Sequence, residues 1–399
     1  MLSVGFFYGR CYTETVSRKR PIYLDHHSTT PVDARVSEVM LPWLTERFGN
    51  AASIGHVYGD EAHEAVEAAR EQVAALVNCT AREVIFTSGA TEADNLALKG
   101  LMWSSPAGSR LVINAGEHNA VLDPADRLSC QGYDVTTIGI DETGQVNVDE
   151  LSDAIRDDTR LVSAMFANNE VGTINPVAEI GRLCRERGVR FHCDAVQAAG
   201  LLPVDLQQLP IDLLSLSAHK IYGPQGVGAL IVRRNRGRIP LTPLIDGGGH
   251  EHHLRSGTLP VALIAGFGEA CRFAREEKAD DALRLSLLRD RLWAGLQASL
   301  DGLHRNGHPD DCLPNNLNLS VEGVDGEALL MNLTAIAVSS GAACSSADPE
   351  PSHVLRAMGV SEELTRASLR FGLGRGTTQD DIDVAIAHVT EVVKRLRGE

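Results

Sequence analysis

The stretch "EVIFTSGATEADNLAL" (residues 83–98) joins two periodicities. Val84, Ile85 and Phe86 make an apolar run of strand length. Ser88 and Gly89 punctuate it, and a helical pattern begins at Ala90. A helix opening straight after a strand offers free backbone N–H groups, and Thr91 adds a hydroxyl. That chemistry suits a phosphate, but the same residues are equally consistent with an ordinary helix start.

The alternation continues outward in both directions. "DEAHEAVEAAREQVAALV" (60–77) reads as an amphipathic helix capped by Asp60. Further strands are expected at 110–115, 134–140, 160–168, 189–195, 211–218 and 226–232, with helices such as 175–188 between them. Strands recurring with helices imply an α/β fold whose sheet is mainly parallel and covered on both faces. After "PLIDGGGHEHHLRSGTLP" (243–260) the pattern changes. A long helical region, roughly 261–300, leads to strands at "NLNLSV" and "LRFGLG" and a final helix. The expected organisation is an arm over 1–20, a large domain over 21–260, and a linking helix with a smaller α+β domain over 261–399. The site is expected between the two domains, and the first part of 21–40 is expected to pack on the smaller one.

The chain has 399 residues and is 43% hydrophobic, ample for a large core. Its 37 basic against 53 acidic residues, a net charge of −16, argue against nucleic acid or an anionic membrane as partner. Eight cysteines at irregular spacing, with no CxxC, resemble neither a disulfide scaffold nor a zinc site. They point to a reducing, cytoplasmic setting. The slightly basic arm is read as loosely attached, with a targeting peptide as the alternative. No apolar run is long enough to span a bilayer.

Of only five lysines, four have ordinary surroundings: Lys19, Lys99, Lys278 and Lys394. Lys220 lies just beyond an apolar strand in "LLSLSAHKIYGPQGVGAL" (213–230). Either it reaches solvent there, or it is an enclosed amine that attacks a carbonyl. The local pattern leaves both readings open. So do Cys344, in the Gly/Ala/Ser-rich "AVSSGAACSSAD" (337–348), and Asp194, which closes "VRFHCDA".

At this point the sequence resembles the cysteine desulfurases of the NifS/IscS type, which are class-V aminotransferases within the fold-type I pyridoxal-phosphate enzymes. The resemblance runs from "PIYLDHHSTTPVD" (21–33) almost to the C-terminus. It is carried by "FGNAASIGHVYG", "EVIFTSGATEADNLALKG", "GEHNAVL", "NNEVGTINP", "FHCDAVQAAG", "LSAHKIYGPQGVGAL", "GGGHEHHLRSGTLP" and "SSGAACSSADPEPSHVLRAMG". It implies a seven-stranded, mainly parallel sheet sandwiched by helices, with a smaller α+β domain.

The resemblance also implies roles. Lys220 binds the aldehyde of pyridoxal 5'-phosphate covalently and moves protons. Asp194 partners the ring nitrogen, His118 stacks on the ring and assists proton transfer, and Gln197 donates to the phenolic oxygen. Asn169 contacts both cofactor and substrate. Ala90, Thr91, Ser217 and His219 hold the phosphate, and Thr258 reaches the phosphate in the second subunit of a homodimer. Arg370 takes the carboxylate of L-cysteine, with Arg375 its nearest rival. Cys344 attacks the substrate sulfur, leaving L-alanine and a persulfide that passes to an iron–sulfur scaffold or another sulfur-acceptor protein. No metal site is expected, beyond Cys344 as one transient iron–sulfur ligand in a complex.

Four departures from the family pattern leave these roles in place: Ala51 for proline, Asn119 for lysine, Phe166 for histidine, and "GAAC" for "GSAC". A selenocysteine lyase would use the same residues, and an aminotransferase would not need Cys344. A non-catalytic partner in iron–sulfur assembly is the reading from another class.

Overall fold

The computed structural model describes residues 20–340 and 351–399. A two-residue strand, β1 (Ile22–Tyr23), leads into helices α1 (Ala34–Thr45) and α2 (Val57–Leu76). The cap of α2 is His56 rather than Asp60: its Nδ1 accepts from the Gly59 N–H at 3.1 Å. Asp60 sits in the first turn instead, where the helix dipole favours an acid.

The chain then alternates: β2 (Val84–Thr87), α3 (Ala90–Trp103), β3 (Arg110–Asn114), α4 (Asn119–Cys130), β4 (Asp134–Ile138), α5 (Val148–Ala154), β5 (Thr159–Ser163), α6 (Val177–Glu186) and β6 (Arg190–Asp194). β7 (Leu213–Ser217) and β8 (Gly228–Val232) follow. These seven strands form one sheet in the order β2-β8-β7-β6-β5-β3-β4. Only β8 runs antiparallel, to β7 on one side and β2 on the other. The expected mainly parallel, seven-stranded sheet is therefore observed.

Alternate residues of the strands feed cores on opposite faces, as the two-residue period requires. Leu111, Ile113, Leu161, Leu213 and Leu230 pack with Leu96 and Leu101 of α3. Val112, Val162, Leu214 and Ile231 join the core that contains Phe191 and Phe267.

From Pro260 the 39-residue α7 (Val261–Ser299) leads to a second, smaller sheet. Its strands are β9 (Leu303–Asn306), β10 (Asn316–Val321) and β12 (Ser368–Gly372), antiparallel in the order β12-β10-β9. Between them come α8 (Gly326–Asn332), β11 (Ile336–Ala337), α9 (His353–Ala357) and α10 (Glu362–Arg366), and α11 (Gln379–Arg397) ends the fold. β1 pairs in parallel with β11, and Leu24 is buried in the core of this smaller sheet. The N-terminal stretch is thereby tied to the C-terminal part of the chain.

Candidate active site

A cavity of about 640 Å³ opens at the C-terminal ends of the parallel strands, the edge where α/β folds gather their ligands. Gly89 follows β2, His118 follows β3, and Asn169 lies beyond β5. Asp194 and Ser217 are the last residues of β6 and β7. All five line the cavity.

At one end, α3 begins with no side-chain cap. Gly89 has φ 153° and ψ 178°, a conformation essentially reserved for glycine. The turn it makes leaves the first N–H groups of α3, around Ala90 and Thr91, facing the cavity with Ser217 and His219. A helix N-terminus and hydroxyls converge there, the donor set an anion takes. His219 is tied back through Nδ1 to the Thr29 Oγ1 at 3.1 Å. Burial first, and the Lys220 charge second, lower its pKa to about 4, so the ring is neutral.

Lys220 is half-buried, and its Nζ donates to the carbonyl oxygens of His27 and, at 2.8 Å, Ser28. Its turn is clamped by the same segment. The Thr30 hydroxyl donates to the His219 carbonyl at 3.0 Å and accepts from the Tyr222 N–H at 2.9 Å. Gln197 lines the cavity, with its amide bonded to His27: Oε1 meets Nδ1 at 3.0 Å and Nε2 donates to the carbonyl at 3.1 Å.

The floor is acidic. Asp194 accepts from the Val196 N–H at 2.9 Å, and burial, then the charge of Asp94, push its pKa up to about 7. A buried carboxyl lining the cavity suits a cationic ring N–H. His118 caps α4, its Nδ1 accepting from the Ala120 N–H at 3.0 Å. That bond leaves the proton on Nε2. Burial first, then Lys220 and His353, lower the ring's pKa to about 4, so it is neutral.

Arg370, on β12, forms the opposite wall and is 1% exposed. Its Nη2 donates to Asp25 Oδ1 at 2.9 Å and Ser28 Oγ at 2.7 Å, and Nη1 donates to the Asn169 carbonyl at 2.9 Å. Its Nε has no hydrogen-bond partner among the described residues. Arg375, the rival, is engaged elsewhere, with Asp281 at 2.7 Å and Asp33 at 3.4 Å.

One described site residue lies apart. Thr258 is exposed and does not line the cavity; the role assigned to it concerns a second copy of the chain. Cys344 lies outside the described residues. The flanks of its segment are beside the cavity: the Arg370 N–H donates to Ser339 O at 2.7 Å, the Ser352 hydroxyl donates to Glu170, and His353 Nε2 meets Glu117 O at 2.9 Å. Of the departures from the family pattern, Asn119 is exposed and Phe166 is buried in the core.

Sequence reasoning missed Asp25, His27, Ser28 and Asp94. All but Asp25 line the cavity, and Asp25 fixes Arg370. The available signal was "DHHSTT" (25–30), quoted as part of a motif but given no role.

A family profile described as Aminotransferase class-V matches residues 22–384. The chain belongs to this family, among the NifS/IscS cysteine desulfurases. It is 54% identical over 380 residues to "Cysteine desulfurase IscS" of Anaeromyxobacter sp. (strain Fw109-5), covering 95% of this chain and 94% of that one. Two solved structures extend the likeness. A "NIFS-LIKE PROTEIN" has TM-score 0.87 and 36% identity, with 94% of this chain and 100% of that one covered. DndA from Streptomyces lividans has TM-score 0.75 and 42% identity, with 86% and 97% covered.

Membership in the class-V family implies pyridoxal phosphate, and the residues present fit it. An uncapped helix N-terminus lies at one end of the cavity, a buried carboxyl on its floor and an amine beside them.

Proposed function

We propose that the protein converts L-cysteine to L-alanine with pyridoxal phosphate and keeps the sulfur as a persulfide on Cys344 for transfer to an acceptor protein. One observation carries the reading: Lys220, Asp194 and Arg370 line a single cavity whose rim holds both described flanks of the Cys344 segment. Cys344 stands four residues beyond Ser340 in sequence.

When bound, pyridoxal phosphate supplies an aldehyde for the amine and a ring that withdraws electrons from the substrate carbon. The uncapped turn of α3, with Ser217 and His219, holds the phosphate. Asp194 keeps a proton on the ring nitrogen. Arg370 takes the substrate carboxylate as a planar two-point donor, its orientation set by Asp25 and Ser28. Lys220 Nζ, lining the cavity, would take up the proton that leaves the substrate Cα. His118, neutral with its proton on Nε2, lines the cavity as a ring surface for stacking and a local proton donor.

The Cys344 thiolate then attacks the substrate sulfur. An S–S bond forms, the Cβ–S bond breaks with its electron pair going to carbon, and protonation of that carbon gives alanine. Persulfide transfer to an iron–sulfur scaffold follows as thiol exchange.

A homodimer is part of the reading. Leu41, Leu44, Phe48, Ile54 and Val57 lie close in sequence along α1, α2 and their connection, with exposures of 60% to 95%. Such an apolar stretch suits burial by a second copy, which would also bring Thr258 to a cavity. A cytoplasmic setting is supported by the free thiols at Cys79, Cys130, Cys184, Cys193, Cys271 and Cys312.

The test incubates the purified protein and Cys344→Ala with L-cysteine, following alanine, protein persulfide and cofactor absorbance. The wild type gives equal amounts of alanine and transferable sulfur. The variant keeps the cofactor and loses both. Alanine production undiminished in the variant overturns the persulfide mechanism.

A further inference from the structure

Strand β2 lies at the edge of the large sheet and is paired on one side only, with β8. Two side chains meet its other side. Arg70, from α2, donates through Nη1 to the Val84 carbonyl at 2.9 Å, and Glu251 Oε2 accepts from the Phe86 N–H at 2.7 Å. The two are also bonded to each other, Nη1 to Oε2 and Nη2 to Oε1, both at 2.8 Å. Both residues are buried. An ion pair thus stands where a neighbouring strand would, satisfying an acceptor and a donor that the edge leaves open.

Glu251 reaches this place from a strained backbone. Glu251, His252 and His253 have φ of 48°, 57° and 66°, three successive side chains in the left-handed region. The turn brings the next residues against α3. Leu254 packs on the core that contains Leu96 and Leu101, and Arg255 Nε donates to Glu92 Oε1 at 3.0 Å. Glu92 Oε2 in turn accepts from the Ser88 N–H at 2.8 Å. Residues 251–255 therefore grip the uncapped turn at Gly89 from both sides, through Phe86 before it and Glu92 after it.

Glu92 is an awkward neighbour for that turn. It lies in the first turn of α3 and lines the cavity beside Ala90 and Thr91, at the end suited to an anion. Burial works against its charge, but the Ser88 N–H and Arg255 outweigh burial and hold the carboxyl below its usual range. It is therefore ionised. A fixed negative charge there repels a phosphate and competes with it for the positive end of the helix. Arg255 is the cation bonded to it, in a pair whose side chains are only 17% and 12% exposed. Salt screens such a sheltered pair poorly.

We propose that Arg255 is a positioning residue for the cofactor phosphate: braced by the Glu251 turn, it offsets the Glu92 charge and holds that carboxylate on Ser88, leaving the N–H groups at the start of α3 to the phosphate. This rests on the pyridoxal phosphate reading above and explains how an acid is tolerated at the anion end of the cavity. The role is electrostatic and geometric, and no bond is made or broken by it.

The test compares binding of pyridoxine 5'-phosphate and of pyridoxine to the full chain freed of cofactor. Neither probe has an aldehyde, so Lys220 forms no bond to either, and the ratio of their dissociation constants isolates the phosphate. Arg255→Gln cuts the preference for the phosphorylated probe about tenfold, while pyridoxine affinity changes by less than about twofold. Inorganic phosphate, as a competitor of pyridoxine 5'-phosphate, weakens by the same factor. Glu92→Gln alone leaves the preference at or above the wild-type level, because the neutral side chain still offers an oxygen to the Ser88 N–H. Adding Glu92→Gln to Arg255→Gln restores most of what was lost.

A merely structural role gives another pattern. Both probes then weaken alike, Glu92→Gln costs as much as Arg255→Gln, and the double variant recovers nothing; that result overturns the proposal. Should Arg255→Gln fail to fold, Glu92→Gln still decides, since a preference cut about tenfold by that change alone contradicts the assigned role. No wild-type preference for pyridoxine 5'-phosphate over pyridoxine sinks the cofactor reading and this proposal together. A wild-type preference that Arg255→Gln leaves intact sinks this proposal alone.

Discussion

The turn after β7 and the stretch from Asp25 to Asp33 meet at the cavity and contribute different things. The turn carries Lys220, the amine to which the proposal assigns the reaction, together with Ser217 and His219. The stretch has no regular structure beyond its first few residues and no assigned reacting group, yet it touches both ends of the chemistry. Its carbonyls at His27 and Ser28 hold the Lys220 amine, while Asp25 and the Ser28 hydroxyl hold Arg370. The distance between amine and guanidinium is thus set by a segment that performs no step. Reactivity sits on strand ends, and alignment comes from a loop that bridges them.

The largest effect expected from this division is at the turn. On the proposed mechanism, Lys220→Ala removes the base for the substrate proton, and alanine formation falls by about 10³-fold or more. Borohydride treatment then leaves no cofactor covalently attached to the protein. Activity within tenfold of wild type would break the comparison.

A smaller effect of a different kind is expected at the bridge. Asp25→Asn keeps the shape of the side chain but leaves the Arg370 charge buried without its carboxylate. Breaking a buried pair costs about 3–5 kcal/mol. Part of that appears as a lower melting temperature and part as a KM for L-cysteine raised about tenfold, with kcat changed less. A kcat loss as large as that of Lys220→Ala would mean the stretch does more than align.

The smallest effect is on stability against pH. His27, His118, His192 and His219 are neutral in the folded chain, their pKa values lowered to between about 3 and 4 chiefly by burial. The unfolded chain takes up protons on them below about pH 6.5, and the folded chain does not until about pH 4. Their contribution is therefore full above pH 6.5 and is lost as pH falls toward 4. Asp94 and Asp194, raised to about 7, act with the opposite sign, because the folded chain binds their protons first. Between about pH 6.5 and 4.5, Asp94→Asn therefore loses melting temperature more steeply than wild type. Parallel curves would contradict that sign.

The same division governs what could be read from the sequence. Lys220, at the end of an apolar strand in a chain with five lysines, announces itself as a candidate. The strands of the large sheet are legible because their runs are apolar on both faces. Asp25 and Ser28 are not, because their partner Arg370 is 345 and 342 residues away and a short polar stretch has no period to betray it. Asp94 hides differently: it sits inside a good helical pattern, and only the packing of α3 against the sheet shows that it faces inward. His56 capping α2 in place of Asp60 is a local miss, since an acid in the first turn and an acid at the cap look alike in sequence.

Helix α7 has a further consequence. Ile264, Phe267 and Phe273 in its first half belong to a core of the large sheet, while Leu285, Leu292 and Leu296 in its second half belong to that of the small one. A rigid rod shared by both cores ties their fates together: neither half can melt without pulling apolar side chains out of the other. The whole molecule should come apart in one calorimetric peak, with β1 and β11 parting in the same event.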